Sequence, residues 1–370
     1  MIAFGYWTPL AGGWLRNVAD EQTPTTFEHV REIAQFAERH GFDVTLVPEL
    51  NLNDQKGMES PRLDAWTIAT ALAASTKRIE IMAAVRPGFH NPAIAAKQAA
   101  TIDQISRGRF TLNVVSAWWE EESRQYGAVF AQHAERYRRT EEFVAALRAL
   151  WEQPNPVTLE GEFFPLQGTY ASPKPSQSLH IYAGGESEDG RASIASFANS
   201  YVTHGGTPEE IREKIADLNR RRVAAQGAEF DSFGMAAFVI VRDTEEEAQE
   251  ELRRITTVQE GPAYASYQQF VTRSKLDVEV SLEEYSVSNR GLRPRLVGTP
   301  QQVAERIVEF SEAGLGLLLL QFSPHLPELQ RFATQVIPLV RELEAQRAAA
   351  GDAATRAPGS QTAGSPRAKS

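Results

Sequence analysis

Eight times over, the chain alternates between a short apolar run rich in β-type residues and a longer stretch whose apolar residues recur at helical spacing. The short runs are 2–7, 42–47, 79–85, 110–116, 179–183, 201–204, 235–241 and 315–322. Helical periodicity follows at 25–41, 64–77, 91–106, 134–152, briefly after 187, at 208–226, again beyond 241, at 302–313 and at 326–345. In 25–41, for example, Phe27, Val30, Ile33 and Phe36 form one stripe and Gly41 supplies the stop. Repeated strand–helix alternation implies a parallel sheet, because parallel neighbours need a long crossover. Eight such units in 370 residues favour a closed (β/α)8 TIM barrel over a doubly wound sheet. The barrel is expected to occupy residues 1–346.

Three stretches break the rhythm. Residues 155–178 are rich in Pro, Gly and aromatics and read as a hairpin inserted outside the barrel. Residues 257–297 form a long polar insertion carrying Asn289, Arg290 and Gly291; loops of that length carry function or are disordered. Residues 347–370 are rich in Ala, Gly, Ser and Pro and read as a disordered tail.

Composition removes several functional classes. The chain has no cysteine, so disulfides, thiolate metal sites, Fe–S clusters and a cysteine nucleophile are excluded. Its seven histidines show no HExxH or comparable ligand spacing, so no metal is expected. The net charge of −10 argues against nucleic-acid binding. No apolar run approaches the length of a membrane span, and the N-terminus reads as a first strand, not a signal peptide. These features favour the cytoplasm. GxGxxG after a strand, the P-loop and the GxSxG elbow are all missing, so no nicotinamide site of Rossmann type is expected.

A barrel of this kind carries its active site at the C-terminal ends of the strands. Three features stand out there. Gly184-Gly185-Glu186-Ser187 follows a strand and opens a helix. Free backbone N–H groups at a helix N-terminus bind phosphate, and glycine allows close approach, although an ordinary βα turn looks the same in sequence. Aromatics crowd the strand ends (Trp7, Trp14, Phe89, Trp118 and Trp119), where flat side chains suit a planar heterocycle or simply fill the core. Arg290, Arg293 and Arg295 gather in the long insertion of an acidic protein, as capture of an anion or a solvated loop would require.

Several motifs in order give the chain a family resemblance. They are Ala-Ala-Lys-Gln-Ala-Ala-Thr-Ile-Asp-Gln-Ile-Ser-Arg-Gly-Arg-Phe at 95–110, Asn-Val-Val-Ser-Ala-Trp at 113–118, and His-Ala-Glu-Arg-Tyr-Arg-Arg-Thr-Glu-Glu-Phe at 133–143. Ser-Pro-Lys-Pro at 172–175, Ala-Gly-Gly-Glu-Ser at 183–187 and Leu-Val-Gly-Thr-Pro-Gln-Gln-Val-Ala-Glu-Arg-Ile at 296–307 complete the set. Together they resemble the bacterial luciferase-like flavin monooxygenases over roughly residues 2–345, most of all the dimethylsulfone, methanesulfonate and alkanesulfonate branch, with the pyrimidine monooxygenases as near cousins.

The resemblance implies reduced FMN as cofactor, O2 as co-substrate, a separate NAD(P)H:FMN reductase as partner, and a homodimer or homotetramer. The implied reaction is oxidation of a small sulfone or alkanesulfonate with C–S cleavage. Oxygenation of another small molecule, hydride transfer with the deazaflavin F420, and flavin binding without turnover are the alternatives. Carried over residue by residue, Gly185 and Ser187 match the flavin phosphate turn, and Arg136 and Tyr137 a pair reaching the phosphate. Asn113, Glu49 and Glu122 match positions near the isoalloxazine. Arg290 or Arg293 resembles a catalytic loop arginine, and His325 a histidine after the last strand. Glu186 departs from the pattern, since many relatives have a small residue there and a carboxylate beside a phosphate is unfavourable unless it points away.

Overall fold

A computed structural model describes residues 1–18, 21–116, 119–130, 133–257, 281, 284, 286–287 and 291–356. Eight parallel strands close into a ring: β1 (Ala3–Trp7), β2 (Val44–Val47), β3 (Glu80–Val85), β4 (Phe110–Val114), β7 (Ile181–Ala183), β8 (Ser200–Thr203), β9 (Phe233–Val241) and β11 (Leu317–Gln321). Each pairs with the next in that order, β8 with β9, and β11 with both β9 and β1. All eight lie within two residues of the runs read from the sequence.

Helices α1 (Phe27–Arg39), α2 (Ala65–Ser75), α3 (Pro92–Ser106), α4 (Glu120–Gln125), α5 (His133–Glu152), α6 (Glu188–Phe197), α7 (Pro208–Gln226) and α8 (Glu245–Thr256) follow in chain order. They are completed by α9 (Pro300–Glu312), α10 (His325–Gln335) and α11 (Ile337–Arg356). Local signals start many of them. Asp64, Asn91 and Ser187 accept N-cap bonds, and Thr207, Thr244 and Thr299 form full capping boxes.

The sequence pattern is also corrected in four places. Helix α4 begins just after β4, where no helix is predicted. A short strand β10 (Leu296–Gly298) ends the long insertion and pairs with Val239–Val241 of β9. Strand β9 is nine residues long, so its first half closes the ring with β11 and its second half binds β10. The final helical pattern is two helices broken at Val336, and the second continues to Arg356, beyond the start expected for a disordered tail. Residues 155–178 contain the antiparallel pair β5 (Val157–Leu159) and β6 (Leu166–Thr169).

Strand alternation sorts the side chains into two layers. Ile2, Phe4, Tyr6, Ile81, Leu112 and Leu320 point outward into the large core beneath the helices. Val44, Leu46, Met82, Tyr182, Val202, Leu317 and Leu319 fill the barrel, with Ala3 and Trp7 packed against them. Gly5 makes this filling possible, because a Cβ there would lie 2.7 Å from Leu319 Cδ2. A third cluster ties the loop after β1 (Trp14, Leu15) to Phe238 and Ile240 of β9, to α8, and to Val287 and Leu292 of the long insertion. It walls one side of the barrel mouth.

Candidate active site

At the C-terminal end of β7 the chain turns through Gly184 to Ser187 into α6. The turn is fixed from several sides. A Cβ on Gly184 would drive into the carbonyl oxygen of Val202 on β8, so only glycine fits that approach. The Tyr201 hydroxyl donates to the Gly185 carbonyl. Ser187 caps α6 by accepting from the Gly190 amide at 3.1 Å, and its hydroxyl lies 2.8 Å from the Tyr137 hydroxyl. Arg136, one residue earlier in the first turn of α5, stacks its guanidinium 5.2 Å from the Phe130 ring. Gly185, Ser187 and Tyr137 therefore meet at one helix N-terminus and its positive dipole end, and Arg136 is Tyr137's neighbour on α5.

Glu186 points away from that terminus. Its carboxylate accepts from Lys214 Nζ at 2.8 Å, from the Thr203 hydroxyl at 3.1 Å and from the His204 amide at 3.0 Å. Burial alone would raise its pKa, yet His204 and Lys214 beside it bring the carboxyl down to about 2. The departure from the family pattern is thus neutralised by an ion pair on the far side of the turn.

Across the mouth, the ends of β2 and β3 and the start of α4 form a wall of buried charge. Arg86 follows β3 and engages Glu122 of α4 through both terminal nitrogens, with Nη2 at 3.1 Å from Oε1. The Arg86 amide donates to Glu49 Oε2 at 2.7 Å, and His90 Nε2 meets Glu49 Oε1 at 2.5 Å. The Phe89 ring lies 4.1 Å from the Arg86 guanidinium. Glu122 also accepts from the backbone amides of Asn51 and Leu52. Nearby, Asp54 binds Arg16 at 2.7 Å and Arg62 at 3.6 Å, and these cations hold its carboxyl below the usual range against the opposing effect of burial. Glu21 accepts from Lys56 at 2.7 Å.

Between the two walls, Asn113 on β4 and Trp7 on β1 face the barrel interior. Asn113 Oδ1 and Trp7 Nε1 are buried and have no hydrogen-bond partner among the described residues. A buried donor and a buried acceptor left without partners at strand ends fit a polar heterocycle that supplies the missing bonds.

Other expected residues fall elsewhere. His325 opens α10 but lies in the layer between barrel and helices, with Tyr6 at 5.7 Å and Phe322 at 5.8 Å between ring centroids. Burial lowers its pKa to about 3, and its Nδ1 accepts from Trp14 Nε1 at 3.3 Å. Arg293 is held by Glu210 at 2.6 Å and Glu284 at 3.6 Å. Arg290 and Trp118 lie outside the described residues. Sequence reasoning gave no role to Lys214 or Tyr201, and it set Arg86 at a strand end without naming a partner for it. The Arg86-Pro87-Gly88 step directly after an apolar strand was the available signal for Arg86.

The closed parallel ring, with a glycine turn leading from β7 into α6, defines a (β/α)8 barrel, and comparison with known proteins supplies the family. The profile described as Luciferase-like monooxygenase matches residues 4–316, and the chain belongs to that family. It is 36% identical over 360 residues to the FMNH(2)-dependent dimethylsulfone monooxygenase of Pseudomonas putida, covering 94% of this chain and 98% of that one. Among solved structures, DmoA from Hyphomicrobium sulfonivorans superposes with a TM-score of 0.78 at 20% identity, covering 93% of this chain and 88% of that one. EDTA monooxygenase from Chelativorans sp. BNC1 gives 0.76 at 20% identity, with 92% and 93% covered. These two likenesses speak for the fold.

Proposed function

We propose that the chain is a two-component monooxygenase that uses reduced FMN and O2 to oxidise a small sulfone, dimethylsulfone first among the candidates, with cleavage of a C–S bond. The observation that carries the reading is the turn Gly184–Ser187, pinned to β8 and bonded to Tyr137, in a chain so similar along its whole length to a dimethylsulfone monooxygenase. In this reading Ser187, Tyr137, Arg136 and the Gly185 backbone hold the flavin phosphate. Asn113 and Trp7 satisfy polar atoms of the ring system. The reduced flavin, when bound, supplies the electrons that activate O2. The protein's own part is to orient flavin and substrate and to keep water out of the mouth, which the Trp14–Phe238–Leu292 cluster serves.

In this reading a separate NAD(P)H:FMN reductase delivers the reduced flavin, and the chain works in the cytoplasm beside that reductase. No helix among the described residues is long and apolar enough to cross a membrane. A homodimer or homotetramer belongs to the same reading. It is supported by α3, whose outer face leaves Ile94 61% and Ile105 39% exposed three turns apart.

The test combines the protein with a generic flavin reductase, FMN and a panel of dimethylsulfone, methanesulfonate, longer alkanesulfonates and uracil. Product must be scored directly, because free reduced flavin also consumes O2. Inserting one oxygen atom into a C–H bond of dimethylsulfone, with the other leaving as water, gives methanesulfinate and formaldehyde after C–S cleavage. Their appearance in equal amounts is the expected result. Product from uracil alone, or turnover that needs F420 and no O2, would overturn the assignment.

A further inference from the structure

We infer that Glu122 and Arg86 are a positioning pair that sets the backbone of the loop after β2, and that Glu122 acts on any occupant of the mouth only through that loop. The inference rests on the reading of the barrel mouth as the flavin site. The Glu122 side chain is 0% exposed and that of Arg86 1% exposed, so neither offers surface to a ligand. The carboxylate is already filled. One oxygen takes the amides of Asn51 and Leu52 and Arg86 Nη2, and the other takes Arg86 Nη1. Arg86 in turn reaches Glu49 through its own amide and, at 3.5 Å, through Nε.

Arg86 thus fastens three separate pieces of chain: its guanidinium holds the start of α4, its backbone amide and the 3.5 Å ion pair from Nε hold Glu49 after β2, and its own backbone continues β3. The loop after β2 gains from Glu122 what a strand would gain from a neighbour, namely partners for two backbone amides. Only a carboxylate can do this. In a glutamine the NH2 group would face a donor whichever way the amide turned, Arg86 on one side and the Asn51 and Leu52 amides on the other. A lysine would meet Glu122 with one ammonium where the arginine's planar fork supplies two nitrogens, and would give up the Nε ion pair with Glu49.

The test compares Glu122→Gln and Arg86→Lys with the unaltered protein. It uses amide hydrogen exchange in peptides covering 48–56 and 181–190, the Kd for reduced FMN, and the share of O2 recovered as product rather than hydrogen peroxide. Glu122→Gln is expected to speed exchange in 48–56 by about tenfold or more, the loss of one charged hydrogen bond, and to leave 181–190 unchanged. The product share falls with it, while the flavin Kd changes by less than about threefold, because the phosphate turn is untouched. Arg86→Lys gives an intermediate result on both readouts and stands in if the glutamine variant fails to fold. A large loss of flavin affinity with unchanged exchange in 48–56 would overturn the inference and make Glu122 a direct ligand. Unchanged exchange and unchanged product share would overturn it as well. If the unaltered protein makes no product from any substrate, the proposed function fails, and the exchange measurement still decides the positioning role.

Discussion

The two walls of the barrel mouth are held by different chemistry. On the β7–β8 side, the turn Gly184–Ser187 is fixed by hydroxyl and backbone bonds and by one close backbone approach, with the ion pair Glu186–Lys214 behind it and the exposed pairs of Glu188 with Arg221 and Arg191 beside it. On the β1–β2–β3 side the same task falls to buried charges: Arg86 with Glu122 and Glu49, Arg16 and Arg62 with Asp54, and Lys56 with Glu21. The first wall presents a helix end with its positive dipole, and in the proposed reading it receives an anion. The second consumes its own charges and is built to stay in place. Buried ion pairs add little net stability but impose geometry, and they are costly to break by halves.

That contrast predicts where stability and binding separate. The largest effect is expected from Arg86→Met, which leaves Glu49 and Glu122 buried around a missing cation and should cost about 3–5 kcal/mol in urea unfolding. A loss below about 1 kcal/mol would mean that the wall relaxes or admits water, and the contrast would collapse. Next comes Glu186→Gln. The folded carboxyl sits at about 2 against an ordinary 4.5, so its contribution is fully present above pH 4.5 and is lost as pH falls toward 2. At neutral pH the variant should be less stable by something on the order of 3 kcal/mol, and the gap should narrow as unfolding is followed from pH 5 downward. A gap that stays constant with pH would show that Glu186 acts by shape and not by charge.

The same contrast explains what could be read from the chain before its structure. The turn proposed to hold the phosphate is four consecutive residues after a strand, so local sequence carries most of it, and its partner Tyr137 sits in a motif of its own at 133–143. The eight strands were legible for the same reason, as runs bounded by turn residues. Arg86 and Glu122 are 36 residues apart, Glu49 and His90 41, and Lys56 and Glu21 35. Nothing local says which acid each base will meet, and only closure of the barrel brings them together. Helix α4 was missed because its six residues include three acids and no apolar stripe; its register is set from outside, by Arg86. The direction of Glu186 was equally hidden, since Lys214 reaches it from the next helix.

Ser187→Asp probes the receiving wall. It places a carboxylate where a phosphate is expected and should weaken the binding of reduced FMN by about a hundredfold or more, a few kcal/mol of like-charge repulsion. Thermal stability should hold, because aspartate is as good an N-cap for α6 as serine. Unchanged flavin affinity would remove Ser187 from the phosphate site.

The smallest effect is expected at His325, which resemblance places among the catalytic groups and the fold places behind the wall. Its Nδ1 accepts from Trp14, so the neutral ring carries its proton on Nε2, and burial holds the pKa at about 3 instead of 6.5. The unfolded chain takes up this proton below pH 6.5 and the folded one only near 3, so stability drains away across that window as pH falls. His325→Gln should cost about 1 kcal/mol at pH 7 through the Trp14 contact. It should flatten the loss of stability between pH 6.5 and 3, and leave substrate-dependent turnover within about threefold, since a ring sealed between Tyr6 and Phe322 has no route to the substrate. A fall in turnover of about a hundredfold with the fold intact would reverse that argument. It would mean that the Trp14–His325 contact carries a proton into the mouth, and that the layer behind the wall is part of the chemistry.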